Sequence, residues 1–247
     1  MRWVIAAVLV LAQASAPAEY RVRLDTTKGP IVIAVHRDWA PRAADRFHEL
    51  VTGGYYDDAA IFRIRPGTWA QFGIAADPKV AQAWRTKTIP DDPYTGHSNT
   101  RGTIAFAFKD PNGRTTQVFI NLKDNSATHD LSVQRPNDAP FVVFGEVIEG
   151  MDVADAWYSE YGEKAGGGIR AGHQDPVFEG GNAYLKTNFP RSTTSSGRRP
   201  ISRRRERAQR VSHANERSRR SGARESVHGS LRAKPPQIIK SIRILDR

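Results

Sequence analysis

Apolar and polar residues alternate in the first clear pattern along the chain, with Tyr20, Val22 and Leu24 on one side of an extended segment. A turn signal follows at 27–30, and residues 31–35 form an apolar run rich in β-branched side chains. Alternation with a period of two is typical of a half-buried strand, and a turn between two such runs is typical of a hairpin. The sequence therefore predicts a β-hairpin.

A helix is predicted directly after this hairpin. Pro41 suits the first turn of a helix, and apolar residues recur behind it at spacings of three and four, at Ala44, Phe47 and Val51. The glycine pair at 53–54 is expected to end the helix. Such a helix would cover one end of whatever the strands build.

The middle of the chain predicts a mainly β domain over 20–190. Two helical segments are expected at 149–161 and 181–188, with a Gly-rich loop at 162–172 between them. Many short strands with few helices favour a sandwich or a barrel. The strand-like runs, separated by turn-rich stretches, are 60–64, 69–74, 102–108, 116–121 and 141–147.

The segment 191–236 differs from everything before it. It is rich in Arg and Ser, has no aromatic residue and shows no sustained apolar period, which is typical of a disordered segment. Residues 238–245 are again strand-like. Two interpretations stay open: either 191–236 is a disordered insertion and 237–247 supplies a closing strand, or everything after Arg191 is a disordered tail.

Charge is concentrated in the same C-terminal part. The chain has 37 Lys and Arg against 26 Asp and Glu, and residues 191–247 hold 17 of the basic and 4 of the acidic groups. The remainder, 1–190, therefore holds 20 basic and 22 acidic groups and is nearly neutral. The basic pI thus describes one segment and says little about what the body of the protein binds.

The first residues have the pattern of an export signal. A positive start at 1–2 precedes an unbroken apolar run at 3–12, and small residues suitable for cleavage follow at Ala14 and Ala16. The run is shorter than the roughly 20 apolar residues that span a bilayer. We expect 1–14 to be a signal peptide cleaved after Ala14 or Ala16, no membrane span, and a periplasmic or secreted protein.

The sequence offers no metal or cofactor site. It has no cysteine, which excludes disulfides, thiolate nucleophiles and Cys-containing zinc sites. The seven histidines are scattered and have no recognised metal-ligand spacing. The glycine run at 166–168 lacks the Lys and Ser/Thr of a phosphate-binding loop.

Three blocks of sequence carry a resemblance to a known family. The first is Ile-Phe-Arg-Ile-Arg-Pro-Gly at 61–67 with Gln71 behind it, and the second is 102–120, which includes Phe119. The third is Val-Val-Phe-Gly-Glu-Val-Ile-Glu-Gly-Met at 142–151. In their order and spacing they resemble the cyclophilin family of peptidyl-prolyl cis-trans isomerases, in its bacterial exported form.

This resemblance implies a closed antiparallel barrel of eight strands capped by helices, and an enzyme that acts on X-Pro bonds without a cofactor. Rotation about a peptide bond faces a barrier of ~18–20 kcal/mol, and X-Pro is the bond for which both isomers are populated. No bond is made or broken in this reaction. The chemistry therefore needs a donor aimed at the prolyl nitrogen and a dry apolar socket for the proline ring.

Arg63 suits the role of donor because a guanidinium is a permanent cation with several N–H groups. Arg65 lies on the same strand face and is expected to be a solvated surface charge, so the choice of Arg63 rests on the resemblance. The implied catalytic residues are Arg63, Gln71, which would orient Arg63 or the substrate backbone, and Phe119. The implied substrate-binding residues are Phe62, Trp69, Ala107, Phe108 and Phe141.

Several positions depart from the family's pattern. Phe62 and Phe141 stand where the family has His, Phe108 replaces an Asn, and Thr68-Trp69 replaces an apolar pair. These departures motivate an alternative function, in which the chain is a proline-peptide binding or chaperone module with weak or no turnover.

A second alternative assigns the main function to the Arg-rich segment. Residues 191–236 would then bind nucleic acid or another anionic polymer, whereas the competing interpretation makes them an unstructured spacer. For the body of the protein the expected partners are proline-containing polypeptides, and the expected state is a monomer.

Overall fold

A computed structural model describes residues 15–130, 139–157, 159–161, 173–190 and 237–245. The chain divides into two units, one formed by Met1–Ser195 with Pro235–Arg247 and one formed by Ser196–Lys234. All described residues belong to the first unit. The expected signal peptide at 1–14 and the Arg-rich segment at 191–236 lie outside the described residues.

The described chain contains one eight-stranded sheet in which every paired strand is antiparallel to its neighbour. The spatial order is β3-β4-β6-β5-β7-β2-β1-β8. The strands are β1 Glu19–Thr26, β2 Gly29–His36, β3 Ile61–Arg65, β4 Trp69–Phe72, β5 Thr103–Phe106, β6 Val118–Asn121, β7 Val143–Glu149 and β8 Ile239–Leu245.

The predicted hairpin is confirmed, since β1 and β2 pair from Glu19 opposite His36 to Thr26 opposite Gly29. On its other edge β1 pairs with β8, from Arg21 opposite Leu245 to Thr26 opposite Ile239. The sheet therefore gains a strand that lies more than 200 residues away in sequence.

β3 and β8 are the two ends of the strand order. A bridge between Ala60 and Ile238 joins these ends, and the Ile239 N–H donates to the Ala59 carbonyl at 3.0 Å. The expectation of eight antiparallel strands is confirmed. Closure of the barrel along the full length of the end strands stays a prediction.

Five helices occur in the described residues: α1 Pro41–Thr52, α2 Pro78–Trp84, α3 Ser126–His129, α4 Met151–Asp155 and α5 Asp175–Asn188. None of them is long and apolar enough to cross a membrane. The described part of the chain also lacks any group of three or more His, Asp or Glu side chains that could hold a metal ion.

Helix α1 begins at Pro41 as predicted, and it packs Phe47 and Leu50 into the main core. Its N-cap, Ala40, has no side chain that can accept a hydrogen bond. Asp92 takes that role from a distant loop, because its carboxylate accepts the backbone N–H groups of Arg42 and Ala43, both at 2.9 Å. These groups are among the donors that a helix start leaves unsatisfied.

The other helices differ from the sequence prediction. β7 runs to Glu149, so the expected helix at 149–161 is the shorter α4. α5 begins at Asp175, before the expected start at 181, because Gly181 is a kink inside it. Its φ is +52°, and a Cβ there would lie 2.4 Å from the Ala76 carbonyl oxygen. Glycine therefore marks a close contact here and not the end of an element.

Candidate active site

One row of residues crosses four neighbouring strands of the sheet. Arg63 on β3 lies opposite Gln71 on β4, Gln71 lies opposite Phe119 on β6, and Phe119 lies opposite Ala105 on β5. Directly opposed residues in a sheet project from the same face. The row therefore carries a guanidinium, an amide, an aromatic ring and a methyl group side by side on one face.

The opposite face of the same four strands is apolar and belongs to the main core. Period-two alternation explains why the two faces differ so sharply in chemistry. The residues that alternate with the row and enter the main core are Phe62, Ile64, Ala70, Phe72, Ile104, Phe106, Val118 and Ile120.

Two contacts orient the half-buried Arg63 side chain. Its Nη1 donates to Oε1 of Gln71 at 3.0 Å, and its guanidinium carbon lies 4.4 Å from the centre of the Trp69 ring. Trp69 precedes Gln71 by two residues on β4, so both contacts come from the same strand face. A hydrogen bond and a cation–π contact together limit the guanidinium to a narrow range of positions.

Hydrogen bonds continue from Gln71 away from Arg63. Nε2 of Gln71 donates to Oε1 of Gln117 at 2.7 Å, and Nε2 of Gln117 donates to Oε1 of Gln174 at 2.8 Å. Gln117 and Gln174 were missed as site residues. Gln117 belongs to a block that carried the family resemblance, whereas the proximity of Gln174 is visible only in three dimensions.

Gly73 permits the close approach that brings Gln117 beside Gln71. Its φ is +111°, and a Cβ would lie 2.4 Å from the Thr116 carbonyl oxygen. The Thr116 hydroxyl donates to the Gly73 carbonyl at 2.8 Å and joins the two segments. A side chain at position 73 would push the segment of Gln117 away from β4.

An apolar cluster lies beside Arg63 and is separate from the main core. Its buried members are Trp69, Ala105 and Phe119, and the half-buried Ala107 and Phe141 pack against them. The rings of Phe119 and Phe141 meet edge to face, with centroids 5.3 Å apart. The cluster thus combines aromatic rings with the two small side chains of Ala105 and Ala107.

His129 stands against both aromatic walls and was not identified from the sequence. Its ring centroid lies 5.6 Å from that of Phe119 and 5.0 Å from that of Phe141. Burial lowers the pKa of His129, and Arg65 and Lys123 act in the same direction, while Asp130 opposes them. Burial thus disfavours the charged form of the ring that packs against Phe119 and Phe141.

Arg114 supports the far side of the cluster. It is 2% exposed, pairs with Asp91, and stacks its guanidinium carbon 4.1 Å from the ring centre of Phe108. Phe108 in turn lies 4.7 Å from Phe141, ring centre to ring centre. Burial lowers the pKa of Arg114 to about 10, so the side chain keeps its charge at neutral pH.

Asn99 connects the segment that carries His129 to the segment that carries Phe141. Its Nδ2 donates to Oδ1 of Asp130 and to the carbonyl oxygen of Phe141, both at 2.8 Å. Its Oδ1 accepts from Asn121 at 3.1 Å. Asn99 is fully buried, and these bonds join the segments of Asp130 and Phe141 to the sheet.

The structure brings most of the predicted site residues together. Arg63 and Gln71 are hydrogen-bonded, and Trp69, Ala107 and Phe119 share the apolar cluster with Phe141. Phe108 lies outside this cluster and packs against the ring of Phe141. Arg65 is exposed at the end of β3, as expected for a surface charge.

Phe62 requires a correction. It was expected to bind substrate, yet it is 2% exposed and packs in the main core. Strand alternation is the physical reason, because the neighbour of Arg63 along β3 must face the other side of the sheet.

The family described as cyclophilin type peptidyl-prolyl cis-trans isomerase/CLD matches residues 21–168. A peptidyl-prolyl cis-trans isomerase of Acinetobacter baylyi is 34% identical over 147 residues, which cover 59% of this chain and 76% of that protein. Peptidyl-prolyl cis-trans isomerase cyp18 of Streptomyces antibioticus is 35% identical over 155 residues, which cover 62% of this chain and 89% of that protein.

A third relative, peptidyl-prolyl cis-trans isomerase B of Escherichia coli, is 33% identical over 135 residues and covers 54% of this chain and 81% of that protein. Among solved structures, a Cryptosporidium parvum cyclophilin type peptidyl-prolyl cis-trans isomerase superimposes with a TM-score of 0.48 at 22% identity. That match covers 60% of this chain and 90% of the other.

Proposed function

The chain belongs to the cyclophilin type of peptidyl-prolyl cis-trans isomerases, and we propose that Arg63 and the row beside it perform this isomerisation on exported proteins. The enzyme interconverts the cis and trans forms of X-Pro bonds, which it must do against a barrier of ~18–20 kcal/mol. The observation that carries the proposal is the row of Arg63, Gln71, Phe119 and Ala105 across four adjacent strands.

Arg63 acts on the prolyl nitrogen. As the C–N bond twists out of plane, resonance is lost and the lone pair of the nitrogen becomes available as an acceptor. A guanidinium N–H held near that atom stabilises the twisted state more than either planar state, which is the condition for catalysis. The hydrogen bond to Gln71 and the contact with Trp69 support this role, because they position the donor before substrate arrives.

The apolar cluster holds the proline ring while the preceding carbonyl turns. Phe119 and Phe141 form the walls, and Ala105 and Ala107 leave room for the ring. Proline lacks an N–H group and presents an almost wholly apolar ring, so burial against aromatic walls favours it over polar side chains. The substrates are therefore extended segments of proline-containing polypeptides, and the reaction needs no cofactor.

Residues 1–14 direct the chain out of the cytoplasm, where its substrates are other exported proteins. Ala16 supports cleavage after Ala14 and not after Ala16. Its side chain is buried in the main core, and its backbone N–H donates to Oδ1 of Asp45 at 2.9 Å. Cleavage after Ala16 would remove both interactions from the mature protein.

The N-terminal residue of the mature protein tests this part of the proposal. We would express the full chain in a bacterial host, fractionate the cells and sequence the N-terminus of the extracytoplasmic protein. Ser15 as the first residue is the expected result. A full-length chain retained in the cytoplasm would contradict export, and Pro17 as the first residue would contradict the cleavage site.

The domain that performs the reaction comprises 20–190 together with the strand at 237–247, which closes the barrel against β3. The Ala60–Ile238 bridge and the pairing of β8 with β1 support this arrangement. Residues 191–236, which lie outside the described residues, are not needed for catalysis.

A protease-coupled assay tests the proposed function directly. The chain starting at Ser15 is mixed with an X-Pro tetrapeptide whose trans form alone is cleaved, and a parallel titration measures peptide binding. We expect turnover that saturates with peptide concentration. Peptide binding without acceleration of isomerisation would instead support the proline-peptide binding module.

A further inference from the structure

Four side chains form a continuous line of hydrogen bonds that ends at α5. The bonds run from Arg63 to Gln71, from Gln71 to Gln117 and from Gln117 to Gln174, with lengths of 3.0, 2.7 and 2.8 Å. Both intermediate amides have the same orientation: each turns its oxygen toward Arg63 and its nitrogen toward Gln174. The line therefore has a polarity.

Arg63 can tolerate only one of the two polarities. A guanidinium donates hydrogen bonds and cannot accept them, so Gln71 must present Oε1 to it. Gln71 must then donate through Nε2, and Gln117 must accept through Oε1. If Gln117 reversed its amide, two N–H donors would face each other. Gln71 is 4% exposed, so water cannot easily relieve such a mismatch.

Gln174 provides the acceptor that fixes the far end of the line. We propose that Gln174 is a positioning residue for catalysis: its Oε1 sets the amide orientation of Gln117, and through Gln117 and Gln71 it holds the Arg63 guanidinium. This inference rests on the proposed role of Arg63. Gln174 is linked to Arg63 through the two intervening amides, and the proposed effect is transmitted along them.

The position of Gln174 is itself well determined. It is the N-cap of α5, and its carbonyl accepts from the N–H groups of Val177 and Phe178 at 3.0 and 3.1 Å. The next residue, Asp175, pairs with Arg85 on the segment after α2. Further along α5, Nδ2 of Asn182 donates to the Asp58 carbonyl at 2.8 Å. The helix is thus attached to the body independently of the Gln174 side chain.

This independence gives a clean experiment. Gln174→Met keeps the size of the side chain and removes the acceptor, whereas Gln174→Glu keeps an acceptor at the same distance. A carboxylate is also favoured at a helix start. Asp175→Asn is the matched control, because it weakens the attachment of α5 without touching the line of amides.

We expect Gln174→Met to lower kcat about three- to tenfold with KM almost unchanged, which corresponds to the loss of one neutral hydrogen bond. Gln174→Glu should restore most of kcat, and Asp175→Asn should lower the melting temperature without changing kcat. A kcat of Gln174→Met equal to that of the wild type would overturn the inference. So would a Gln174→Glu variant as slow as Gln174→Met.

Arg63→Ala, measured in parallel, distinguishes a failure of the positioning role of Gln174 from a failure of the proposed function of Arg63. If Arg63→Ala is slow and Gln174→Met is not, only the positioning role fails. If Arg63→Ala keeps wild-type kcat, the proposed function of Arg63 fails first. Should Gln174→Met not fold, the wild-type protein still gives an answer: NMR scalar coupling across the hydrogen bond from Gln117 Nε2 to Gln174 Cδ is expected, and its absence overturns the inference.

Discussion

At the scale of single residues, the site combines one restrained cation with an apolar surface. Arg63 lies between Gln71, which accepts its hydrogen bond, and Trp69, which stacks on it. Phe119 continues the same row toward the apolar cluster. The proposed donor and the proposed surface for the proline ring are therefore adjacent on one face, and the proposed function depends on this arrangement.

Phe119→Ala should weaken both peptide binding and turnover, because it removes one wall of the apolar cluster. We expect kcat/KM to fall at least tenfold, with a stability cost of roughly 3–5 kcal/mol. Kinetics must be measured well below the melting temperature. Phe72→Ala, in the main core on the other face of the sheet, is the control and should cost similar stability with little effect on KM. Wild-type kcat/KM in a folded Phe119→Ala variant would make Phe119 a core residue only.

His129 should make stability depend on pH. Its folded-state pKa is lowered by burial, so the unfolded chain takes up the proton first as the pH falls below the ordinary value of about 6.5. The stabilisation is present above that pH and is lost as the pH falls through the folded-state pKa. We expect the melting temperature to fall more between pH 7.5 and pH 5 in the wild type than in His129→Leu. Melting temperatures that fall equally with pH in the two proteins would contradict this prediction.

At the scale of elements, the candidate site depends on segments that carry none of its proposed catalytic residues. Asn99 precedes β5, yet it bonds to Asp130 after α3 and to Phe141 before β7. Likewise, Gln174 at the start of α5 bonds to Gln117, the residue directly before β6. Loops and helix ends thus hold side chains that the strands present.

Asn99→Ala should loosen the wall formed by Phe141 and His129. The change leaves the Phe141 carbonyl and the amide of Asn121 without their buried partner, at a cost of about 1–3 kcal/mol for each such group. We expect KM for an X-Pro peptide to rise more than kcat falls. A variant that is destabilised but has wild-type KM would show that Asn99 supports the fold and not the pocket.

The sequence predicted those elements whose signal is local. The β1–β2 hairpin and α1 follow from alternation and from Pro41, and both are confirmed. α2 was missed although Asp77-Pro78 is a helix start, because the helix is only seven residues long. The pattern predicts the start of α5 too late, because a glycine is typical of a helix boundary, whereas Gly181 is required by the close contact with Ala76.

The candidate site was predictable only where a motif or strand parity applied. Arg63, Gln71 and Phe119 came from the family resemblance, and the strand registers of the structure place them on one face. The same parity argues against Phe62, which was nevertheless expected at the site. His129, Asn99 and Gln174 could not be found, because each reaches the site through contacts between segments that are distant in sequence.

At the scale of the whole molecule, the sheet depends on the end of the chain. β8 covers the edge of β1 and buries Ile239 and Ile242 against the main core. An uncovered β1 would leave a row of unpaired backbone groups exposed to other chains. The strand at the C-terminal end is thus part of the fold that presents Arg63.

Two truncations test how the chain ends. Deleting 193–234 should leave a folded and active enzyme of similar stability, because loop closure depends only weakly on loop length. Ending the chain at Arg191 should lower the melting temperature and promote aggregation, since β1 loses its partner. If the chain ending at Arg191 melts at the same temperature as the chain from Ser15 to Arg247, the role of β8 in stabilising the sheet is wrong.

The most direct test of the account compares Arg63→Ala with Arg65→Ala. Both residues lie on β3, but Arg63 is bonded to Gln71 beside the apolar cluster and Arg65 is exposed. In the protease-coupled assay, Arg63→Ala is expected to lower kcat/KM about 10²–10³-fold with the melting temperature almost unchanged, as for the loss of one transition-state donor. Arg65→Ala is expected to stay within about twofold of the wild type. Wild-type kcat/KM in Arg63→Ala, or equal losses in both variants, would contradict the assignment.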